Sequence, residues 1–90
     1  MMELKKIKKA LKDIVRDLKL KNAETDAEIN GKWVHLLIVA EEFAGLPQRN
    51  RENMVWRELE RKFDDETLIS ITQCYLLAPE EQPASLRKVS

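Results

Sequence analysis

Trp33-Val34-His35-Leu36-Leu37-Ile38-Val39-Ala40 is the longest apolar run of the chain, and Glu41-Glu42-Phe43-Ala44-Gly45-Leu46-Pro47 breaks it. The run is too short for a helix of ordinary length and rich in branched residues, which reads as a buried strand. Its continuous apolar character predicts burial on both faces and a central place in a sheet. Gly45 and Pro47 then punctuate the chain. Beyond them Val55, Trp56, Leu59 and Phe63 recur at the spacing of one helix face, which predicts a helix over residues 48–63. The unit is strand, loop, helix, and the rest of the chain is placed around it.

Upstream, Thr25, Ala27 and Ile29 alternate with Asp26, Glu28 and Asn30, the period of a strand with one wet face. Asn30-Gly31 is a favoured pair for a tight hairpin turn, so strands 24–30 and 32–40 should pair antiparallel. Further upstream, Leu4, Ile7, Leu11, Ile14 and Leu18 step by three and four, and no Gly or Pro interrupts residues 3–20. That is an amphipathic helix whose wet surface carries Lys5, Lys6, Lys8, Lys9, Lys12, Arg16 and Lys19. Downstream, Asp64-Asp65-Glu66 puts negative charge where a helix C-terminus disfavours it, so the second helix should stop there. Residues 67–77 alternate as a last strand, and a strand-helix-strand crossover makes it parallel to the second. Pro79 ends that strand. The reading is one domain over residues 1–78, with residues 79–90 a flexible polar tail.

The chain has 90 residues, enough for one modest core. It is 43% hydrophobic and 36% charged, which suits a globular chain with a heavily solvated surface. With 16 basic and 16 acidic residues its net charge is zero, so no global field draws it to a polyanion. The distribution is uneven: residues 1–22 carry +5 and residues 23–47 carry −4. Cys74 is the only cysteine, which excludes an internal disulfide and a CxxC-type zinc site. It reads as a small buried hydrophobe in a reducing, cytoplasmic setting. The only histidine, His35, stands mid-strand without a second ligand type beside it. No Ser-His-Asp set, metal box or phosphate loop is present, so no catalytic residue is assigned and the chain is read as non-enzymatic. No apolar run approaches the roughly 20 residues that span a bilayer, and no membrane association is expected.

An apolar strand (Val34, Leu36, Leu37, Ile38, Val39) leads into Phe43-Ala44-Gly45, a basic segment with Arg51, a helix stepping through Val55, Leu59 and Phe63, and finally Pro79-Glu80-Glu81. This ordered set, spread over about residues 3–82, resembles the BolA family. The resemblance implies an α+β fold of order α-β-β-α-β, with a three-stranded mixed sheet and helices packed on one face, of the class II KH-like type. It implies a regulatory module that binds DNA or RNA as a transcription regulator, or alternatively an adaptor that docks a monothiol glutaredoxin and shares its iron–sulfur cluster. For nucleic acid, the positions it points to are Arg49 and Arg51 at the loop–helix junction, helped by Asn50 and Asn53. A monomer or weak dimer is expected. The family's usual cluster-ligand histidine falls on Thr67 or Ser70, and the hairpin His or Cys falls near Lys32. None of these side chains is a ligand for iron or zinc, so no metal site and no cofactor is expected. The family's Arg-His-Arg-like triplet is replaced by Arg51-Glu52-Asn53, with Arg49-Asn50-Arg51 two residues earlier.

Overall fold

A computed structural model of the chain describes residues 3–81. Helix α1 (Leu4–Asp17) is followed by β1 (Glu24–Asn30), β2 (Trp33–Val39), α2 (Gln48–Lys62), α3 (Asp65–Ser70) and β3 (Ile71–Leu77). Short 3-10 turns lie at Glu41–Phe43 and Pro79–Glu81. The architecture is the expected α-β-β-α-β, with α3 added ahead of the last strand. β2 is central, antiparallel to β1 and parallel to β3. No helix among the described residues is long and apolar enough to cross a membrane.

Cross-strand rows define the two faces of the sheet. Ala27, Leu36 and Cys74 align on one face, as do Thr25, Ile38 and Leu76. The helices pack there: Ile7, Leu11 and Ile14 of α1 and Val55 and Leu59 of α2 join Val34, Leu36, Ile38 and Leu76 in one core. Phe43 reaches the same core from the turn after β2. On the other face lie Glu28, His35 and Gln73, and Asp26, Leu37 and Tyr75. That face is not covered: Trp33 is 43% exposed and Tyr75 is 38% exposed. The continuous apolar run of β2 therefore marks its central position, but burial on both faces does not follow. His35 and Leu37 are only half-buried.

Four local features differ from the sequence reading. First, α1 stops at Asp17. Lys19 takes a left-handed φ of 56°, its amide donates to the Arg16 carbonyl, and the Leu20 amide donates back to Val15. This is a Schellman ending without glycine, and it buries Leu20. Second, the hairpin loop is Gly31-Lys32, because Asn30 still pairs with Trp33. Gly31 has φ 65° and Lys32 is not left-handed, the pattern of a type II′ turn in place of the Asn-Gly type I′ turn.

Third, residues 65–70 are helix and not strand. α2 stops at Lys62, as expected, but Asp64 also begins a new helix: its carboxylate accepts the Thr67 amide at 2.8 Å and caps α3, with Asp65 and Glu66 in the favoured first turn. β3 begins at Ile71, and a register shift between Val34 and His35 leaves Thr72 unpaired. Ile71 thus faces the core while Gln73 and Tyr75 face away from it. Fourth, Pro79–Glu81 is a turn tied to the domain and not the start of a loose tail. The remainder of the expected tail, with Arg87 and Lys88, lies outside the described residues.

The packing of α1 gives a direct check. Leu11 is fully buried and Leu4, on the same stripe, is 38% exposed. Leu11→Ala is expected to cost about 2–5 kcal/mol, and Leu4→Ala to stay within about 0.5 kcal/mol, in urea unfolding. Equal costs at the two positions would mean that α1 docks in another orientation.

Candidate functional site

The turn entering α2 is held from inside by Arg51. This residue lies four before Val55 and eight before Leu59, on the core stripe of α2, and is only 5% exposed. Its Nε donates to the Leu46 carbonyl at 2.9 Å. Nη1 donates to the Leu76 carbonyl at 2.9 Å and to Glu81 Oε1 at 2.6 Å, and Nη2 donates to Glu81 Oε2 at 3.0 Å. The guanidinium carbon stands 5.8 Å from the centroid of the Phe43 ring. Glu81 Oε1 also accepts the Ala78 amide at 2.8 Å. One guanidinium therefore joins the loop, the start of α2, the end of β3 and the final turn.

The electrostatics follow from this geometry. The Arg51 hydrogen bonds, followed by the Ala78 amide, hold the Glu81 carboxyl down from 4.5 to about 2. The bonds that Arg51 donates to Glu81 raise the guanidinium above its ordinary range.

Arg51 therefore points inward, and the outward contact role expected for it has no exposed guanidinium to perform it. Its place on the Val55–Leu59 stripe was the signal that sequence reasoning passed over. The other three residues of that set are brought together on the outside. Arg49, Asn50 and Asn53 are all exposed around the first turns of α2. That helix has Pro47 at its N-cap, no side-chain cap and no acidic residue in its first turn. Asn50 and Arg51 both donate their amides to the Pro47 carbonyl. The Gln48 and Arg49 amides precede the first intrahelical bond and point out of the helix end, where an anion is favoured. Exposed Glu52 adds one opposing charge beside the cluster.

A second surface is the uncovered sheet face. Asp26, Glu28, His35, Leu37, Gln73 and Tyr75 line a shallow depression of about 260 Å³ there. The Tyr75 hydroxyl donates to Gln73 Oε1 at 2.7 Å. At the hairpin end, Lys32 Nζ lies 5.0 Å above the Trp33 ring.

The donor set does not fit an iron–sulfur cluster. Lys32 is an ammonium engaged with Trp33. Thr67 and Ser70 lie within α3, and the Ser70 hydroxyl donates to the Glu66 carbonyl. Cys74 stands in the row facing the helices, and burial, then the Glu52 charge, pushes its thiol up to about 12. It is a protonated thiol at neutral pH. His35 stands on the opposite face, so the two softest donors diverge. Among the described residues no three His, Cys, Asp or Glu side chains are placed to hold a metal ion.

The Arg51 anchor is testable by substitution and by acid. Arg51→Met leaves the Leu46 and Leu76 carbonyls without their donor and should cost about 1–3 kcal/mol in urea unfolding. Because the folded pKa of Glu81 is depressed, its stabilisation is complete above about 4.5 and is lost as pH falls through about 2. Glu81→Gln should therefore flatten the acid limb of stability against pH within that window. An unchanged limb in the variant would show that the pair does not couple to folding.

No protein-family model matches the chain, and no curated protein matches it.

Proposed function

We propose that the chain is a non-enzymatic, BolA-like regulatory module of the cytoplasm that binds nucleic acid through the turn entering α2, as a monomer or weak dimer. The observation that carries this reading is the exposed trio Arg49, Asn50 and Asn53 around a helix end that lacks a side-chain cap and an acidic first turn. Amides and an arginine meet one phosphate there, and the two asparagines add neutral donors for a second phosphate or a base edge. The Arg51–Glu81 anchor supports the same reading, because it fixes the loop and so lowers the ordering cost of binding. One arginine and one helix end neutralise about one or two phosphates, so affinity belongs in the nonspecific range of about 10⁻⁴ to 10⁻⁶ M.

Fluorescence anisotropy with labelled duplex DNA, single-stranded DNA and RNA tests it. Binding is expected near 50 mM salt and should fade by about 200 mM. Arg49→Glu should weaken it by about tenfold, the scale of one lost phosphate contact together with a new repulsion. Absence of binding to all three at low salt removes the reading.

The open sheet face favours a second reading, an adaptor that docks a monothiol glutaredoxin without ligating its cluster. Exposed Trp33 and Tyr75 are the residue types that anchor protein interfaces. An NMR titration with that partner should move resonances of Trp33, Tyr75 and the 41–50 loop. A spectrum unmoved at saturating partner excludes it.

A further inference from the structure

Helix α1 places its cations where they do not help the fold. Ile7, Leu11 and Ile14 face the core, and Lys5, Lys9 and Lys12 project from the opposite side, all exposed. Two other cations of α1 have carboxylates: Lys8 pairs with Asp26 at 3.7 Å, and Arg16 lies 3.5 Å from Asp13 and 3.4 Å from Asp17, while exposed Lys6, off this stripe, forms no ion pair among the described residues. Lys5, Lys9 and Lys12 form no ion pair among the described residues. They stand at i, i+4 and i+7, where like charges repel. Lys5 and Lys9 lie in the N-terminal half of a helix that has no acidic residue in its first turn, and Lys5, within that turn, opposes the helix dipole. No acid lies between Lys5 and Lys12; Asp13 flanks the stripe at its C-terminal end, where it pairs with Arg16.

We propose that the Lys5-Lys9-Lys12 stripe of α1 is a second docking surface for a nucleic-acid backbone. The proposal rests on the nucleic-acid reading above and adds to it a separate contact surface. The stripe is straight and about 10 Å long at the helical rise. It covers about three successive phosphates of one duplex strand at 3.4 Å per step. A lipid surface fits less well, because a membrane-lying helix immerses its apolar face, and the apolar face of α1 is spent on the core. What remains outward is charge without apolar anchors, the chemistry of phosphate neutralisation.

The test compares salt dependence in the full chain, its Lys5→Gln/Lys9→Gln/Lys12→Gln variant and Arg49→Glu. Removing three phosphate contacts should flatten the slope of log K against log salt by about 2.7 on duplex DNA, or about 2.1 on a single strand. Arg49→Glu should flatten it by about 1. The triple variant should melt no lower than the parent, since the substitutions relieve repulsion. Should it fail to fold, Lys9→Gln alone carries the test, with an expected change of about 1 in slope. A triple variant with the parent slope, alongside a weakened Arg49→Glu, overturns the stripe and leaves the α2 site standing. Loss in the triple variant with none in Arg49→Glu supports the stripe and overturns the α2 site. No binding by the parent overturns both. Binding to anionic vesicles but not to DNA or RNA overturns the assignment to nucleic acid.

Discussion

The geometry of the turn entering α2 and of the Pro79–Glu81 turn depends on one guanidinium removed from water. A buried arginine is costly unless its donors are met. Arg51 meets that requirement with four hydrogen bonds, to two backbone carbonyls and to both oxygens of Glu81. Its partners lie 5, 25 and 30 residues along the chain. A contact of that reach closes loops that hydrophobic packing alone leaves loose, because the partner positions are fixed in direction as well as distance. Phe43 packs beside the same group and seals the loop to the core. The turn after β2 is short and acidic, contains a glycine at φ 82° and is shaped by its own backbone bonds, from Phe43 to Ala40, Ala44 to Glu41 and Leu46 to Phe43. Arg51 and Phe43 tie that turn to the rest of the domain.

This anchor also explains why the polar residues around it divide as they do. Positions 51, 55 and 59 face inward by helical periodicity, and 49, 50 and 53 fall on the remaining arc. A single helix therefore uses arginine twice, once as an internal tie and once as an outward cation. Residue type does not distinguish the two; phase relative to Val55 does.

The same distinction governs what could be read in the sequence. The hairpin was legible because Thr25, Ala27 and Ile29 alternate cleanly and because Gly31 admits a conformation other residues avoid. The stripes of α1 and α2 were legible because buried positions repeat at the helical period. The α3 segment was not. Thr67, Leu68, Ile69 and Ile71 favour strand by propensity, and a single capping carboxylate at Asp64 outweighs them locally. The acidic cluster was read only as the stop of α2, which does end at Lys62; it is also the capped start of α3. The unpaired Thr72 was equally hidden, since an alternating pattern carries no mark where one residue is skipped. Glu81 was hidden for a further reason: a glutamate in a polar, proline-flanked stretch looks solvated until its partner is known.

The sheet and the charge distribution share an asymmetry that follows from size. Two long helices cover one face of three short strands, and among the described residues no further element covers the other. The exposed face must then be made tolerable to water, which Asp26 and Glu28 on β1 and Gln73 on β3 do, while Leu37 on the central strand and Tyr75 on β3 remain. Acidic residues gather in β1 and in the turn after β2, and basic residues gather on α1, so a net charge of zero conceals two opposed surfaces. Field strength near a surface depends on local charge within about a Debye length and not on the total. A neutral chain of this kind therefore carries opposed local fields on separate faces. In the nucleic-acid reading proposed above, the basic side of α1 would be the one turned to phosphates and the acidic sheet face the one turned away.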